Sequence, residues 1–258
     1  MRHLAGRRLL ATARTWARGL LHGRPCPICA GPARRAGATW RHAYLRCTRC
    51  GLIYVAELPG AAEVHAAYAT AGSATYQVEH KRDWAAWREH KQRTLDALGL
   101  ADLERATARK RALDLGCGEG QLLTALRDRG WDARGVELNR SLAEQARALG
   151  FRVTTAALEQ AEPPDAPFDL LLLFHLLEHL RDPLAALERV RGWLGPRGWL
   201  LVETPLRPDY DNTDHLYCFS GAALDLALRR TGLLPRRWYD YVDDCYRHHN
   251  LAVLATPA

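Results

Sequence analysis

The sequence predicts an α/β fold on a mostly parallel sheet, preceded by a small cysteine-bearing module. From Lys110 onward, short apolar runs alternate with amphipathic stretches of helical period, the order that parallel βαβ units require. The run Phe168–Phe174 is apolar apart from Asp169, as a strand covered on both faces must be. Four of the seven cysteines form two C-x-x-C pairs, Cys26/Cys29 and Cys47/Cys50, within the first 50 residues.

Taken in order, residues 1–25 form a tail with six arginines and no acid, its apolar residues at roughly helical spacing. It has no apolar stretch long enough for a secretory signal, and a frayed helix is the reading it supports, with a surface-lying amphipathic helix or transit peptide as alternatives. Residues 26–56 carry the cysteine pairs and five more arginines. Residues 57–105 form a helical connector, with helix-compatible spacing at 64–68 and 83–98 and a loop over 69–76 between them. Residues 106–258 form the α/β body. Strands are expected at 111–115, 133–137, 151–155, 168–174 and 199–203, with an antiparallel pair at 237–242 and 250–254, seven in all. The helices between them open on caps. Ser141 with Glu144 reads as a capping box, Asp182-Pro183 as a cap with proline at the first helical position, and Ser220 as a third cap. Gly130, Gly150 and Gly232 close helices, and Gly195–Gly198 is a turn.

The net charge is +7, yet eleven arginines and no acid lie before Glu57, so the body is mildly acidic and the basicity belongs to the N-terminal end. The longest apolar run, Leu170–Leu177, is far shorter than the ~20 residues of a membrane span. An odd number of cysteines, four of them in tight pairs, argues against a secreted disulfide scaffold and for metal binding in a reducing compartment, the cytoplasm. Cys117, Cys218 and Cys245 read as small or buried thiols.

The segment Leu113-Asp-Leu-Gly-Cys-Gly-Glu-Gly120 ends a strand in a G-x-G-x-G turn, where bare backbone lets a ligand approach closely. A dinucleotide fingerprint needs its third glycine at position 121, which is Gln121. Glu137, at the end of the second strand and 21 positions beyond Gly116, is placed to take both hydroxyls of a ribose. Together with the segment Phe168-Asp-Leu-Leu-Leu-Leu-Phe-His-Leu-Leu-Glu-His-Leu-Arg-Asp-Pro183, this resembles the class I S-adenosylmethionine-dependent methyltransferases, whose fold is a Rossmann-like seven-stranded sheet. The resemblance implies that Asp114 and the turn Gly116, Cys117, Gly118 and Gly120 hold the methionine end of the cofactor, and Glu137 its ribose. The acid that family places after the third strand falls on Ala157, so adenine contacts pass to Leu138, Leu158 and backbone groups.

Cys26/Cys29 and Cys47/Cys50, separated by 17 residues, match the spacing of a four-cysteine zinc site. Four thiolates leave zinc no open position, so such a zinc is structural and supplies the fold of a ribbon too small to bury its own core.

Methyl transfer asks the protein for in-line positioning and a base. His175 follows the fourth strand at its carboxyl end, where ligands of open α/β sheets bind, and is a candidate both for that base and for lining the cofactor pocket. Glu178 and His179 read as setting the turn before Asp182. The segment Asp214-His-Leu-Tyr-Cys-Phe-Ser220 resembles the acid-His segment of zinc-ribbon-bearing sugar C-methyltransferases of natural-product pathways, which also carry a tyrosine in a serine- and glycine-rich loop after the ribbon. That resemblance implies Tyr76, Asp214 and His215 as base candidates; His248 and His249 form one further pair. The expected acceptor is a small metabolite, methylated at oxygen or carbon. One alternative is RNA docked on the basic ribbon, although Phe174-His-Leu-Leu177 is unlike the Asn-Pro-Pro-Tyr type of segment that goes with methylation of base amino groups. The other is a non-catalytic interaction protein, against which the intact glycine turn and Glu137 count.

Overall fold

The computed structural model of the chain describes residues 24–71, 84–162, 167–206, 214–242 and 249–258. Residues 1–23 of the basic tail, Tyr76, Cys245 and His248 lie outside them.

The cysteine module is a meander of β1 (Ala33–Ala38), β2 (Ala43–Cys47) and β3 (Ile53–Val55). After it come α1 (Ala61–Ala66), which runs on into a π turn over Ala67–Ala71, and then α2 (Trp84–Ala97) and α3 (Leu100–Ala106). The body alternates β4 (Arg111–Leu115), α4 (Gln121–Asp128), β5 (Asp132–Glu137), α5 (Arg140–Ala148), β6 (Arg152–Thr155), β7 (Phe168–Phe174), α6 (Pro183–Arg191) and β8 (Leu194–Pro205). Then follow β9 (Tyr217–Cys218), α7 (Gly221–Arg230), β10 (Leu233–Val242) and β11 (His249–Pro257).

Seven of these strands form one sheet in the order β10-β11-β8-β7-β4-β5-β6. The five from β8 to β6 are parallel, and β11 runs antiparallel to both of its neighbours. Strand order therefore reverses between β4 and β7, and ligands of open α/β sheets sit beyond the carboxyl ends at such a point. Leu170–Leu173 of the central strand are fully buried, in keeping with their unbroken apolar run.

Two local expectations are corrected. The cap of α5 is Asn139, whose Oδ1 accepts from the amides of Ser141 (3.0 Å) and Leu142 (3.3 Å), while Glu144 pairs with Arg140 on the helix surface. Strand β8 begins at Leu194, five residues before the expected Trp199. The Gly195–Gly198 segment is a register shift within its pairing to β7, where Phe168 faces Leu194 and Leu170 faces Trp199.

The module is fused to the body. β9, from the body, pairs antiparallel with β3, matching Ile53 with Cys218 and Tyr54 with Tyr217, and makes the module's sheet four-stranded. Its buried side chains, among them Ile28, Leu52 and Tyr54, belong to the same hydrophobic cluster as Leu115, Leu173 and Phe219 of the body.

Candidate active site

The turn after β4 is built for close approach. Gly116, Gly118 and Gly120 have φ of 80°, 53° and 91°, where side chains are strained. A β-carbon on Gly118 would meet nothing within 4 Å, so this face of the turn is open to a ligand. Cys117 points the other way: a β-carbon at Gly135 would lie 2.4 Å from its Sγ, so the thiol packs on β5 as a small filler. Glu137 spans the crevice, accepting from the Gly118 amide at 2.8 Å and the Asn139 amide at 2.7 Å. Asp114 is 3% exposed and its Oδ1 has no hydrogen-bond partner. Burial, and then the Glu137 charge, push its carboxyl up to about 8, with Lys91 opposing. A buried carboxyl oxygen without a partner is the environment expected where a ligand donor completes the site. Leu158 is buried and Leu138 half-buried beside this crevice.

The fourth strand brings His175 to the same edge. Its backbone lies in the left-handed region (φ 48°), an uncommon conformation for a non-glycine residue that it shares with Ala30 and Lys110. Its amide donates to Glu203 O at 2.9 Å. The ring stands between two fully buried carboxylates, Nε2 at 3.0 Å from Glu203 and Nδ1 at 3.4 Å from Glu178. Burial opposes its charge, but Glu178 and Glu203 outweigh that and raise its pKa to about 9. The two carboxylates thus favour the imidazolium form of this ring.

Glu203 anchors a network that no sequence pattern announced. Lys91 of α2, 3% exposed, donates to it at 2.6 Å, and Tyr241 of β10 donates at 2.6 Å. Burial would raise the Glu203 carboxyl, but Lys91 and His175 hold it down to about 2. The Lys91 ammonium also lies over the rings of Phe174 (4.9 Å) and Trp87 (5.6 Å).

A second group of side chains forms a wall beside His175. His179 and His215 have ring centroids 4.8 Å apart. Tyr68, on the π turn, hydrogen-bonds His179 Nδ1 through its hydroxyl and donates to Asp214 O at 3.2 Å, while Tyr68 O accepts from Asn139 Nδ2 at 3.1 Å. Tyr68 thus bridges the Glu137–Asn139 end of the crevice to the histidines. Glu178, whose carboxylate oxygens receive no hydrogen bond among the described residues, has one of them within 4.8 Å of ring nitrogens of His179 and His215. The Asp214 carboxylate pairs with Arg41 of the cysteine module at 2.9 Å. His249 hydrogen-bonds Asp240 on the antiparallel pair. Lys91, Glu203, Tyr241 and Tyr68 are the members of this site that sequence reasoning missed.

The four cysteines converge from the two knuckles of the module. Their sulfurs lie within 4.8 Å of one another, with Cys26–Cys50 at 3.5 Å and Cys29–Cys47 at 3.3 Å. The amides of Gly31, Arg49 and Cys50 point at sulfurs from 3.3 to 3.5 Å.

A methyltransferase-domain family model matches residues 84–251, most of the chain. The chain belongs to that family. Among curated proteins it is similar to ubiquinone biosynthesis O-methyltransferases: 33% identical over 61% of this chain in Xylella fastidiosa and 28% over 56% in Nitrosospira multiformis. It spans 66% and 60% of the length of those two relatives. Among solved structures it resembles magnesium protoporphyrin IX methyltransferase from Synechocystis PCC 6803 with bound S-adenosylmethionine, at TM-score 0.59 and 16% identity over 76% of this chain and 96% of that one. It also resembles the 1,6-didemethyltoxoflavin N1-methyltransferase of Burkholderia thailandensis, bound to its substrate and S-adenosylhomocysteine, at TM-score 0.60 and 19% identity over 82% and 96% of the two chains. These likenesses establish the Rossmann-like methyltransferase fold with its seven-stranded mixed sheet.

Proposed function

We propose that this protein transfers the methyl group of S-adenosylmethionine to an oxygen, or alternatively a carbon, of a small metabolite. The acceptor class is a hydroxylated metabolite such as a nucleotide-linked sugar or secondary-metabolite intermediate, and the O-methyltransferase relatives favour oxygen. The observation that carries this reading is the crevice after β4, where open glycine amides, the unpartnered Asp114 oxygen and Glu137 converge next to two histidines. When bound, the cofactor supplies an electrophilic methyl group.

Glu137 exchanges its Gly118 and Asn139 amide bonds for, or shares them with, the ribose hydroxyls. Asp114 and the amides from Gly116 to Gly120 receive the methionine end, and Leu138 and Leu158 flank the adenine. His215 takes the proton from the acceptor hydroxyl, with His179 beside it, held by Tyr68. His175 stays protonated and neutralises Glu178 and Glu203, so it supports the pocket wall and is not the base. Cys26, Cys29, Cys47 and Cys50 hold one structural zinc. The shortest sulfur separations approach the ~3.8 Å edge of a tetrahedron with 2.3 Å zinc–sulfur bonds, and amides donating to sulfur are the second shell such a site uses.

Calorimetry with S-adenosylmethionine, followed by transfer of tritiated methyl to a panel of catechols, sugar nucleotides and phenols, tests this reading. Binding and transfer are expected, with His215→Gln lowering kcat at least ~100-fold at unchanged cofactor affinity. Absence of binding heat would refute it. One observation supports RNA as a second reading: Arg34 and Arg46 face each other across β1 and β2, and with Arg49 they line an open recess of about 640 Å³ beside Ser220. RNA docked there would bind with a steep salt dependence that metabolite turnover lacks.

A further inference from the structure

We propose that Arg41 and Tyr44 of the cysteine module are positioning residues for His215, so that the module acts as a jig for the methyl-transfer base. The inference rests on the reading of His215 as that base and adds what fixes its place.

Among the described residues, the backbone around His215 is held by the module, by the turn after β7 and, at Asp214 O, by the Tyr68 hydroxyl at 3.2 Å. Arg41 Nη1 grips the Asp214 carboxylate at 2.9 Å, one residue before the histidine. Tyr44, 4% exposed on β2, donates its hydroxyl to His215 O at 3.0 Å. One residue later, Val55 N donates to Leu216 O at 3.0 Å, while Leu216 N donates to Glu178 O at 2.9 Å. The β3–β9 pairing follows immediately, and Ser220 Oγ then donates to Cys50 O at 2.6 Å. His215 is thus pinned between the module on one side and the turn bearing Glu178 and His179 on the other.

Two features make this more than packing. The Arg41–Asp214 pair is part-exposed, with 25% and 39% of the two side chains accessible, so it adds little to global stability and its effect is local to the residue before the histidine. Tyr44 spends a buried hydroxyl on the histidine's own carbonyl, and such a bond specifies a backbone position to within a few tenths of an ångström. Base geometry is where such precision matters, because a displacement of about 1 Å can cost roughly 100-fold in rate. Tyr44 lies on the strand that ends at Cys47 and Arg41 in the bend just before it, so the frame of the four-cysteine cluster is continuous with the one that holds the base.

The full-length chain with 13Cε1-labelled histidine tests this. The His215 signal is assigned by its loss in His215→Gln, and spectra are recorded with S-adenosylhomocysteine as the probe ligand. In Tyr44→Phe and in Arg41→Ala the His215 line is expected to shift or split, while the His175 and His90 lines stay in place. Arg41→Lys should restore the single line. Glu63→Gln, which removes the other Arg41 partner at 3.1 Å, should leave it unchanged. An unmoved His215 line in both Tyr44→Phe and Arg41→Ala overturns the proposal, and so does a shift of all histidine lines together, which would mean general unfolding. Failure of the base reading looks different: His215→Gln would keep full methyl transfer while these shifts persisted.

Discussion

Lys91→Met should destabilise the protein by about 3 kcal/mol at neutral pH, and the loss should fade on acidification. The ammonium lies 2.6 Å from Glu203, and their side chains are 3% and 0% exposed. Removing one partner of a buried pair leaves the other charge uncompensated, at a typical cost of ~3–5 kcal/mol. The lower end applies because Tyr241 (2.6 Å) and His175 (3.0 Å) remain on the carboxylate. Holding Glu203 at about 2 against an ordinary glutamate value of 4.5, a shift that Lys91 shares with His175, corresponds to at most about 3 kcal/mol. A depressed carboxylate contributes its stability above the ordinary value and loses it as pH falls toward the folded one. The wild-type advantage over Lys91→Met should therefore be full at pH 7 and shrink between pH 5 and pH 2. Urea unfolding at both ends of that range measures it. Melting temperature at pH 7 should fall by about 6–12 °C, at roughly 2–4 °C per kcal/mol for a chain of this size. A double-mutant cycle with Glu203→Gln isolates the pair. A loss below 0.5 kcal/mol, or one that grows on acidification, would refute the reasoning.

Glu137→Ala should weaken S-adenosylmethionine binding at least ~30-fold by calorimetry, since the ribose loses its charged acceptor; an unchanged affinity rejects the cofactor placement. Asn139→Ala removes the α5 cap and the tether to Tyr68, and should cost about 1–2 kcal/mol in urea unfolding; a cost under 0.3 kcal/mol shows that neither contact contributes. Emission spectrometry of purified protein should find one zinc per chain, sharply reduced in Cys47→Ser, and chelation should lower the melting temperature; metal-free protein with an unchanged melt contradicts the zinc assignment. His175 should carry its proton at pH 7.5 by nitrogen NMR. Because its pKa is raised from the ordinary 6.5 to about 9, its contribution to stability is complete below 6.5 and vanishes as pH rises through 9. His175→Gln should flatten that part of the stability profile, and an identical alkaline profile counts against the double-carboxylate cage.

How legible each part of the site was follows from how far apart its partners lie in the chain. The cofactor crevice comes from one βαβ unit, in which Gly116, Gly120 and Glu137 are placed by the strand–turn–helix pattern itself, and the spacing alone reveals it. At the start of α5, Ser141 and Glu144 imitate a capping box, whereas Asn139, two residues earlier, has its side-chain Oδ1 on the amides. Asp214 and His215 look like a dyad by adjacency, but Asp214 sits in a turn and pairs with Arg41, 173 residues away. Lys91 and Glu203 are 112 residues apart, and the trace they leave is one acid directly after the apolar run Trp199–Val202. β9 has two residues, too short for any periodicity, yet it joins the cysteine module to the body. The half of the site that receives the cofactor is thus written in local pattern, and the half that holds the base is written in contacts between the module, the connector and the body. Substitutions at Arg41, Tyr44 or Tyr68 should accordingly change transfer to the acceptor while leaving cofactor affinity intact, and substitutions around Gly118 and Glu137 should do the reverse.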